Sequence, residues 1–187
     1  MKKITFTNVF LLIVVYTVAQ TKCNNGLEIK TNLLNLVALG PSIGIEYNLK
    51  NDWTGMLSLA SGKLDYGDFG VTNYKTVTLE YRKYGLHNTM FVGTYLKNIQ
   101  KRVFRDEVVS SSTAIPFSII NKRDFIGNGL SAGATFGFKF LLYSNFSLEL
   151  NSQIGVGRYY QMNDNTGNLP SGTYLDARLG LWLGFKF

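Results

Sequence analysis

Few side chains in this sequence are able to catalyse a reaction or to bind a metal ion. The 187 residues include one histidine, His87, and one cysteine, Cys23. A single cysteine excludes a disulfide framework and a multi-cysteine metal site, and a single histidine excludes a polyhistidine site. Because His87 lies in a predicted turn, residues 85–89, we interpret it as a solvated turn residue. We therefore predict no catalytic residue, no metal site and no cofactor.

The ionisable residues that do follow a regular spacing are five acids and six bases that lie within apolar segments. They are Glu28, Glu46, Glu80, Glu149, Asp176, Lys30, Arg82, Lys97, Lys139, Arg178 and Lys186. An isolated buried charge is costly, whereas acids and bases in near balance can neutralise one another. The balance indicates an internal network of ion pairs, provided that the fold turns these side chains toward one interior.

The segments that would position these side chains have a hydrophobic period of two. In residues 175–187, apolar residues occupy the odd positions, while Asp176, Arg178 and Lys186 lie on the opposite face. This period is that of a β-strand and excludes an amphipathic helix. The same pattern predicts strands at residues 43–49, 76–82, 130–142 and 146–157. Less regular strands are predicted at residues 27–36, 53–61 and 90–100.

Eight predicted strands without a helical pattern between them favour an all-β fold. Closing an antiparallel sheet on itself removes its unpaired edges. Short connections at 50–52, 85–89 and 143–145 alternate with long ones at 62–73, 101–128 and 161–172. Outer-membrane barrels likewise have short periplasmic turns and longer extracellular loops, although the short connection at 37–41 departs from this alternation. We predict an eight-stranded antiparallel up-and-down transmembrane β-barrel.

Which face of the sheet is internal distinguishes two kinds of barrel. A soluble ligand-carrying barrel buries its apolar face, whereas a membrane barrel exposes that face to lipid. The polar face carries the charged residues and many glycines, as the narrow lumen of an eight-stranded barrel would require. The glycines are Gly44, Gly93, Gly133, Gly137, Gly155, Gly157, Gly180 and Gly184. Both features favour the membrane barrel, with the eleven charged side chains in its lumen.

The N-terminal segment has the features of a signal for export. Lys2 and Lys3 precede an apolar run at residues 9–19, which is shorter than the ~20 residues needed to cross a bilayer. Thr17 and Ala19 are small residues at the positions that a signal peptidase reads. We predict a cleaved signal peptide at residues 1–19 and a single outer-membrane β-barrel domain at residues 20–187. An uncleaved anchor and a lipid-modified Cys23 are the alternatives.

Surface partners are predicted from the longest connection, residues 101–128. Its candidate binding residues are Lys101, Arg102, Arg105, Phe117, Lys122 and Arg123. The basic side chains can pair with phosphates of outer-membrane lipid, including lipopolysaccharide, and an exposed apolar segment often marks a protein partner site. Ordinary loop charge on extended strands is the alternative. Nucleic acid is not a predicted partner despite the net charge of +7, because the basic residues are spread along strands of an exported chain.

The last residues resemble the assembly signal of outer-membrane barrels, which ends on an aromatic residue. Phe185 and Phe187 supply the aromatic positions, so the barrel-assembly machinery is a predicted partner. The match is partial, because Trp182 stands where the signal usually has glycine.

Two groups of short motifs support a family resemblance. They are Lys30-Thr31-Asn32-Leu33-Leu34 with Gly44-Ile45-Glu46, and Ile154-Gly155-Val156-Gly157 near the penultimate strand. With these motifs the sequence resembles an uncharacterised Gram-negative family of small outer-membrane β-barrels, and more distantly the OmpA, OmpX and OmpW-type barrels. The resemblance implies a fold and an outer-membrane location, and it carries over no catalytic residue.

Three classes of function remain open from the sequence. We expect a structural, adhesion or partner-binding role through the surface loops, with the lumen plugged by a salt-bridge network. The alternative is a narrow channel or carrier for a small molecule. A lipid-modifying enzyme comes third, because the known barrel enzymes act in the outer leaflet with a histidine, whereas His87 lies in a turn at the predicted periplasmic end.

Overall fold

The computed structural model describes seven parts of the chain, and the account below concerns these parts. They are residues 26–65, 71–85, 89–104, 125–143, 145–164, 167–168 and 172–187. Several predicted features lie outside them, and for these the sequence-based expectation stands as a prediction. These features are the signal peptide at 1–19, Cys23, His87, Arg105, Phe117, Lys122 and Arg123.

A closed ring of eight long antiparallel strands forms the molecule. The elements are β1 Leu27–Asn32, α1 Leu33–Val37, β2 Ser42–Asn48, β3 Trp53–Asp65, β4 Val71–Gly85, β5 Met90–Phe104, β6 Phe125–Tyr143, β7 Phe146–Asp164, β8 Gly167–Asn168 and β9 Thr173–Lys186. Each strand from β1 to β7 pairs with the next, and β9 pairs with both β7 and β1 to close the ring. The two-residue strand β8 only extends the end of β7. The predicted all-β, eight-stranded up-and-down barrel is confirmed.

Burial along the strands is the reverse of that in a soluble protein. On β4, Leu79 and Tyr81 are 55% and 47% exposed, whereas Thr78, Glu80 and Arg82 between and beside them are buried. A side chain period of two places the apolar residues outside the ring and the polar residues inside. An apolar exterior around a charged interior is the pattern of a transmembrane barrel, which is the orientation that the sequence predicts.

The first strand is shorter than predicted, because it ends in a helix. The predicted strand 27–36 stops at Asn32, and residues Leu33–Val37 form α1. The side chain of Asn32 accepts hydrogen bonds from the backbone N–H groups of Leu34, at 3.0 Å, and Leu181, at 3.3 Å. An asparagine N-cap of this kind favours helix initiation over strand continuation. The expectation of no helix between the strands is therefore wrong at this connection.

The three long connections are shorter than predicted, since their flanking residues continue the strands. β5 runs to Phe104 and β6 begins at Phe125, so Lys101 and Arg102 lie on a strand rather than in a loop. The predicted connection 62–73 is largely strand as well. In the part of the chain that the structure describes, no helix is long and apolar enough to cross a membrane.

The barrel wall is shorter on one side, because the strands differ in length. β6 and β7 have 19 residues each, whereas β1 has six and β2 has seven. Beyond the last β1–β9 pair, Asn32 with Trp182, residues 173–181 of β9 have no strand partner on that side among the described residues. We call the region between residues 173–181 of β9 and residues 61–65 of β3 the wall gap. Helix α1 and residues 38–41 lie there.

A lipid-facing position gives the first prediction. Phe136 on β6 is outward and 52% exposed, so Phe136→Arg should lower the free energy of unfolding by ~2–4 kcal/mol if the site is near the bilayer midplane. Urea titration in phospholipid vesicles measures the change. Gln100→Arg, on the outer face toward the extracellular end of β5, is the matched control and should cost ~0–1 kcal/mol. Equal costs at the two positions would contradict the proposed membrane depth.

Candidate functional site

Inward positions on five strands, β1, β2, β4, β6 and β7, bring most of the charged residues together in the lower lumen, the half that lies next to the short turns. Glu28 on β1 is directly opposite Glu46 on β2 in the strand register. Two like charges in this arrangement repel each other. Bases therefore have to lie between them, and the structure places Lys30 of β1 and Lys139 of β6 there.

The centre of the lower lumen is a cluster of four fully buried charges. The Lys30 ammonium contacts the carboxylates of both Glu46 and Glu149. The Arg82 guanidinium lies 3.0 Å from the other Glu149 oxygen and 2.8 Å from Glu80. The side chains of Lys30, Arg82, Glu46 and Glu149 are 0% exposed. Each charge thus has an opposite charge in contact, the condition under which buried ions are tolerated.

Lys139 extends this cluster toward the short turns. Its ammonium contacts Glu28 and lies 3.4 Å from a Glu46 oxygen. Ser147 donates a hydrogen bond to Glu28, and the Tyr84 hydroxyl donates one of 2.9 Å to Glu46. Neutral donors therefore satisfy carboxylate oxygens that the bases do not reach.

Large neutral side chains fill the space around the lower cluster. Met56, Phe91 and Trp182 are each at most 2% exposed, and the Arg82 guanidinium stacks 4.5 Å from the centre of the Phe91 ring. Gly44 makes room for them, because a Cβ atom there would lie 3.1 Å from the Trp182 ring. The lower lumen thus contains side chains across its width.

A separate ion pair lies higher in the lumen. The Lys97 ammonium is 2.9 Å from both Asp176 oxygens. Asp176 also accepts hydrogen bonds from the Tyr95 hydroxyl, at 3.0 Å, and from Ser131. The carboxylate is therefore fully engaged by groups from three other positions on the wall.

Two of the predicted network residues do not join an ion pair in the described part of the chain. Arg178 has no acidic oxygen within 4 Å there, and its guanidinium lies 5.9 Å from the centre of the Trp182 ring. Its nearest acid in sequence, Asp176, is occupied by Lys97. Lys186 lies partly exposed near the barrel end, opposite a Glu28 that already binds Lys139. Among the described residues these two bases therefore lie outside the ion pairs, whereas the sequence predicts that the acids and bases mostly neutralise one another.

The neutral members of the network are not among the residues predicted from the sequence. Tyr84, Tyr95, Ser131 and Ser147 donate to carboxylates, and Gln153 donates a 2.9 Å hydrogen bond to Glu80. Tyr95, Ser131, Ser147 and Gln153 occupy inward positions of predicted strands, whereas Tyr84 lies two residues beyond the predicted strand 76–82. The alternation of inward and outward positions along a strand could have identified them as lumen residues. It does not indicate which carboxylate each side chain contacts.

Above the Lys97–Asp176 pair the lumen becomes apolar. Val103, Phe125, Tyr159 and Met162 form a buried cluster, with Tyr174 packed against it. The Phe125 and Tyr159 rings meet edge to face at 5.7 Å between centroids. These residues come from the extended parts of β5, β6 and β7, which the sequence analysis assigned mainly to loops.

A cavity of about 270 Å³ lies beside the wall gap, on the extracellular side of the lower cluster. Inward residues lining it include Asn35, Tyr74, Lys97, Asp176 and Arg178. Outward-facing residues also line it, namely Leu34, Ala177 and Leu179. The cavity therefore extends from the lumen through the wall gap to the outer surface.

The remaining predicted residues lie at the two ends of the barrel. Lys101 and Arg102 lie near the extracellular end of β5. Phe185 contacts Phe146 and Phe187 edge to face, each with ring centroids 5.0 Å apart. The role of the two aromatic residues in assembly stays a prediction. Within the described ranges, no group of three or more His, Cys, Asp or Glu side chains is placed to hold a metal ion.

A closed ring with an apolar exterior and a charged interior defines the class of outer-membrane β-barrels. The chain belongs to the DUF3575 family, a protein family of unknown function, whose model matches residues 8–175. This agrees with the resemblance that the motifs of β1, β2 and β7 indicate. No curated protein matches the sequence.

Three solved structures are similar in architecture at low sequence identity. The Yersinia pestis outer membrane protein Ail in a phospholipid bilayer nanodisc is 12% identical, with a TM-score of 0.44 over 88% of this chain and 100% of that one. Neisserial surface protein A is 11% identical, with a TM-score of 0.49 over 87% and 95%. The N-terminal barrel domain of Pseudomonas aeruginosa OprF is 16% identical, with a TM-score of 0.42 over 88% and 98%.

The buried cluster gives the second prediction. Glu149→Gln removes the charge that neutralises Lys30 and Arg82, so it should lower the free energy of unfolding by ~3–5 kcal/mol. Urea titration in lipid vesicles measures this value. Asp52→Asn is the matched control, because Asp52 is exposed in a turn with a positive φ of 61° that asparagine also tolerates. A loss below ~1 kcal/mol for Glu149→Gln would mean that water replaces the missing charge.

Proposed function

We propose that this protein is a non-conducting outer-membrane β-barrel that acts through its extracellular end, in a structural, adhesion or partner-binding role. The observation that carries the proposal is the fully buried cluster of Lys30, Glu46, Arg82 and Glu149 in the lower lumen. An ion that crossed this layer would have to separate paired charges in a region of low dielectric constant. The barrel is therefore a rigid support rather than a pore.

Outer-membrane lipid, including lipopolysaccharide, is the proposed partner of the outer surface. Exposed basic residues lie on the outer face near the extracellular ends of the strands, namely Lys63, Lys75, Arg102 and Arg158. In the strand register, Lys63 is opposite Asn73, and Asn73 is opposite Arg102, so a single row crosses β3, β4 and β5. Basic residues just above an apolar band are suited to pair with lipid phosphates.

Two further partners follow from the sequence. A protein partner is proposed for the segment 101–128, which is bounded by the basic residues Lys101 and Arg102 and contains apolar residues. The barrel-assembly machinery is proposed to recognise Phe185 and Phe187. Export by the N-terminal segment and an outer-membrane location belong to the same proposal.

A carrier for a small molecule is the second candidate function. The observation that favours it is the cavity of about 270 Å³ beside the wall gap. Such a carrier would take up its ligand from the side and above the lower cluster, so it does not require an open pore.

Electrical measurements test the non-conducting barrel. Purified protein inserted into planar lipid bilayers should give no large, steady single-channel currents, because the lower lumen is filled. A Lys30→Ala/Arg82→Ala variant that still folds, shown by circular dichroism, should conduct more than the wild type. Steady wild-type currents would overturn the proposal and favour the channel.

Charge reversal tests the lipid partner. Lys63→Glu/Lys75→Glu should weaken binding of fluorescent lipopolysaccharide to nanodisc-embedded protein about five- to thirtyfold, since exposed ion pairs contribute ~0.2–1 kcal/mol each and reversal adds repulsion. Lys50→Glu/Lys83→Glu is the matched control, because both lysines are exposed near the opposite end. An equal loss in both double variants would show that only the net charge matters.

A further inference from the structure

Helix α1 and residues 38–41 lie between β3 and β9 in the wall gap, and they are attached differently on the two sides. Toward β3, the chain after α1 is hydrogen-bonded: Lys63 N–H donates to Ala38 O at 2.7 Å and Ser61 N–H to Pro41 O at 3.0 Å. The Asn35 amide also donates to Ser61 O at 2.8 Å. These bonds attach the connection to β3 as a substitute for strand pairing.

Toward β9, helix α1 lies alongside the strand without backbone pairing. Leu181 N–H donates to the Asn32 side chain at 3.3 Å. Beyond this bond, among the described residues, residues 173–180 of β9 have backbone pairing only with β7. Helix α1 therefore lies beside β9 without strand pairing to it, so this is the side on which the barrel wall can separate and admit a molecule.

The cavity beside the wall gap has two chemically different ends. Its outer end is lined by Leu34 and Leu179, which are 42% and 65% exposed on the surface that faces lipid. Its inner end holds Lys97, Asp176 and Arg178. Because Lys97 and Asp176 neutralise each other, Arg178 leaves a net positive charge there.

Arg178 lacks an anionic partner within the described structure. Its guanidinium lies beside the Trp182 ring rather than a carboxylate, with 5.9 Å to the ring centre. A guanidinium presents a planar pair of N–H donors that matches a carboxylate. The cavity thus has a guanidinium at its inner end and apolar side chains at its outer end. These two ends are complementary to an amphipathic anion.

We infer that the cavity binds a fatty acid taken up laterally from the outer leaflet. The carboxylate pairs with Arg178, and the acyl chain leaves between Leu34 and Leu179 into the lipid. The cavity volume of about 270 Å³ is smaller than the ~300–1,000 Å³ of a site that encloses a whole drug-sized ligand. This volume agrees with a site that encloses only part of a single acyl chain. The site thus holds the head and the first methylenes while the rest of the chain stays in the bilayer. This inference deepens the carrier candidate.

Trp182 provides a direct reporter of the bound headgroup. The chain has two tryptophans, so Trp53→Phe leaves Trp182 as the only one. We would place this variant in phosphatidylcholine nanodiscs and titrate it with 2-bromohexadecanoate, whose bromine lies next to the carboxylate and quenches nearby indole fluorescence. Saturable quenching is expected. The methyl ester of the same acid, which lacks the charge, should give only weak quenching that rises linearly.

Two variants in this background separate the site from general lipid contact. Arg178→Gln should weaken binding at least about tenfold, because it removes a charge-assisted hydrogen bond. Ala177→Phe fills the cavity from its outer side and should have a similar effect. Ala134→Phe is the matched control, because Ala134 is opposite Ile154 in the register and Ile154 is opposite Ala177. It should bind like the parent, and circular dichroism establishes that each variant is folded.

Several results would overturn the inference. They are equal quenching by acid and ester, unchanged binding in Arg178→Gln and Ala177→Phe, and an equal loss in Ala134→Phe. Light scattering that shows a dimer without fatty-acid binding would mean that a second copy pairs with the free edge of β9. Steady currents in planar bilayers would instead overturn the non-conducting barrel and leave the quenching result intact.

Discussion

Burying ionised side chains inside a closed ring of eight strands is the constraint on which the rest of this structure depends. The ring is too narrow for bulk water to solvate each charge, and an unpaired charge would be expensive. Lys30 and Arg82 meet this constraint by sharing Glu149 and by each contacting a further glutamate. The cluster links β1, β2, β4 and β7, so ion pairing connects opposite sides of the barrel as well as neighbouring strands.

The same constraint divides the lumen into layers. Charges with complete partners fill the lower lumen, and a single engaged pair, Lys97 with Asp176, lies above them. Higher still, Phe125 and Tyr159 form an apolar cluster that needs no partners for charge. Arg178 lies between these layers and lines the cavity. Because it forms no ion pair among the described residues, we infer that its partner is a ligand. The proposed function and the further inference are therefore compatible, because a barrel proposed to be closed to ions along its axis can still admit a molecule from one side.

The inferred access from the side depends on the point at which β1 ends and α1 begins. Asn32 caps α1 and also bonds to β9, so β1 stops there while β9 continues to Thr173. Sheet edges that lack a partner are usually covered in natural proteins, and here the cover is a five-residue helix attached to β3 through Asn35 and residue 38. The junction of β1 and α1 thus creates the wall gap through which the ligand is inferred to enter.

The sequence by itself determined the class of fold and the side of the sheet that is internal. A period of two is a property of the strand backbone, and it assigns residues such as Leu79 and Glu80 to opposite faces without any knowledge of their partners. Glu80 with Arg82 could also be expected on one inner face, because they are two residues apart. The alternation of side chains between the two faces is a local property of each strand. It is therefore the same in any antiparallel arrangement of the strands.

Only the tertiary structure decided which charges meet. Lys30 and Glu149 are 119 residues apart, and their contact depends on ring closure and register, which no local pattern encodes. For the same reason the sequence places Asp176 and Arg178 on one inner face without a partner, whereas in the structure Lys97 from β5 pairs with Asp176 and Arg178 lies beside Trp182. The hydrogen bond from Leu181 to Asn32, which joins β9 to the start of the helix at residues 33–37, likewise depends on ring closure. Local periodicity sets the direction of a side chain, but distant strands supply its partner.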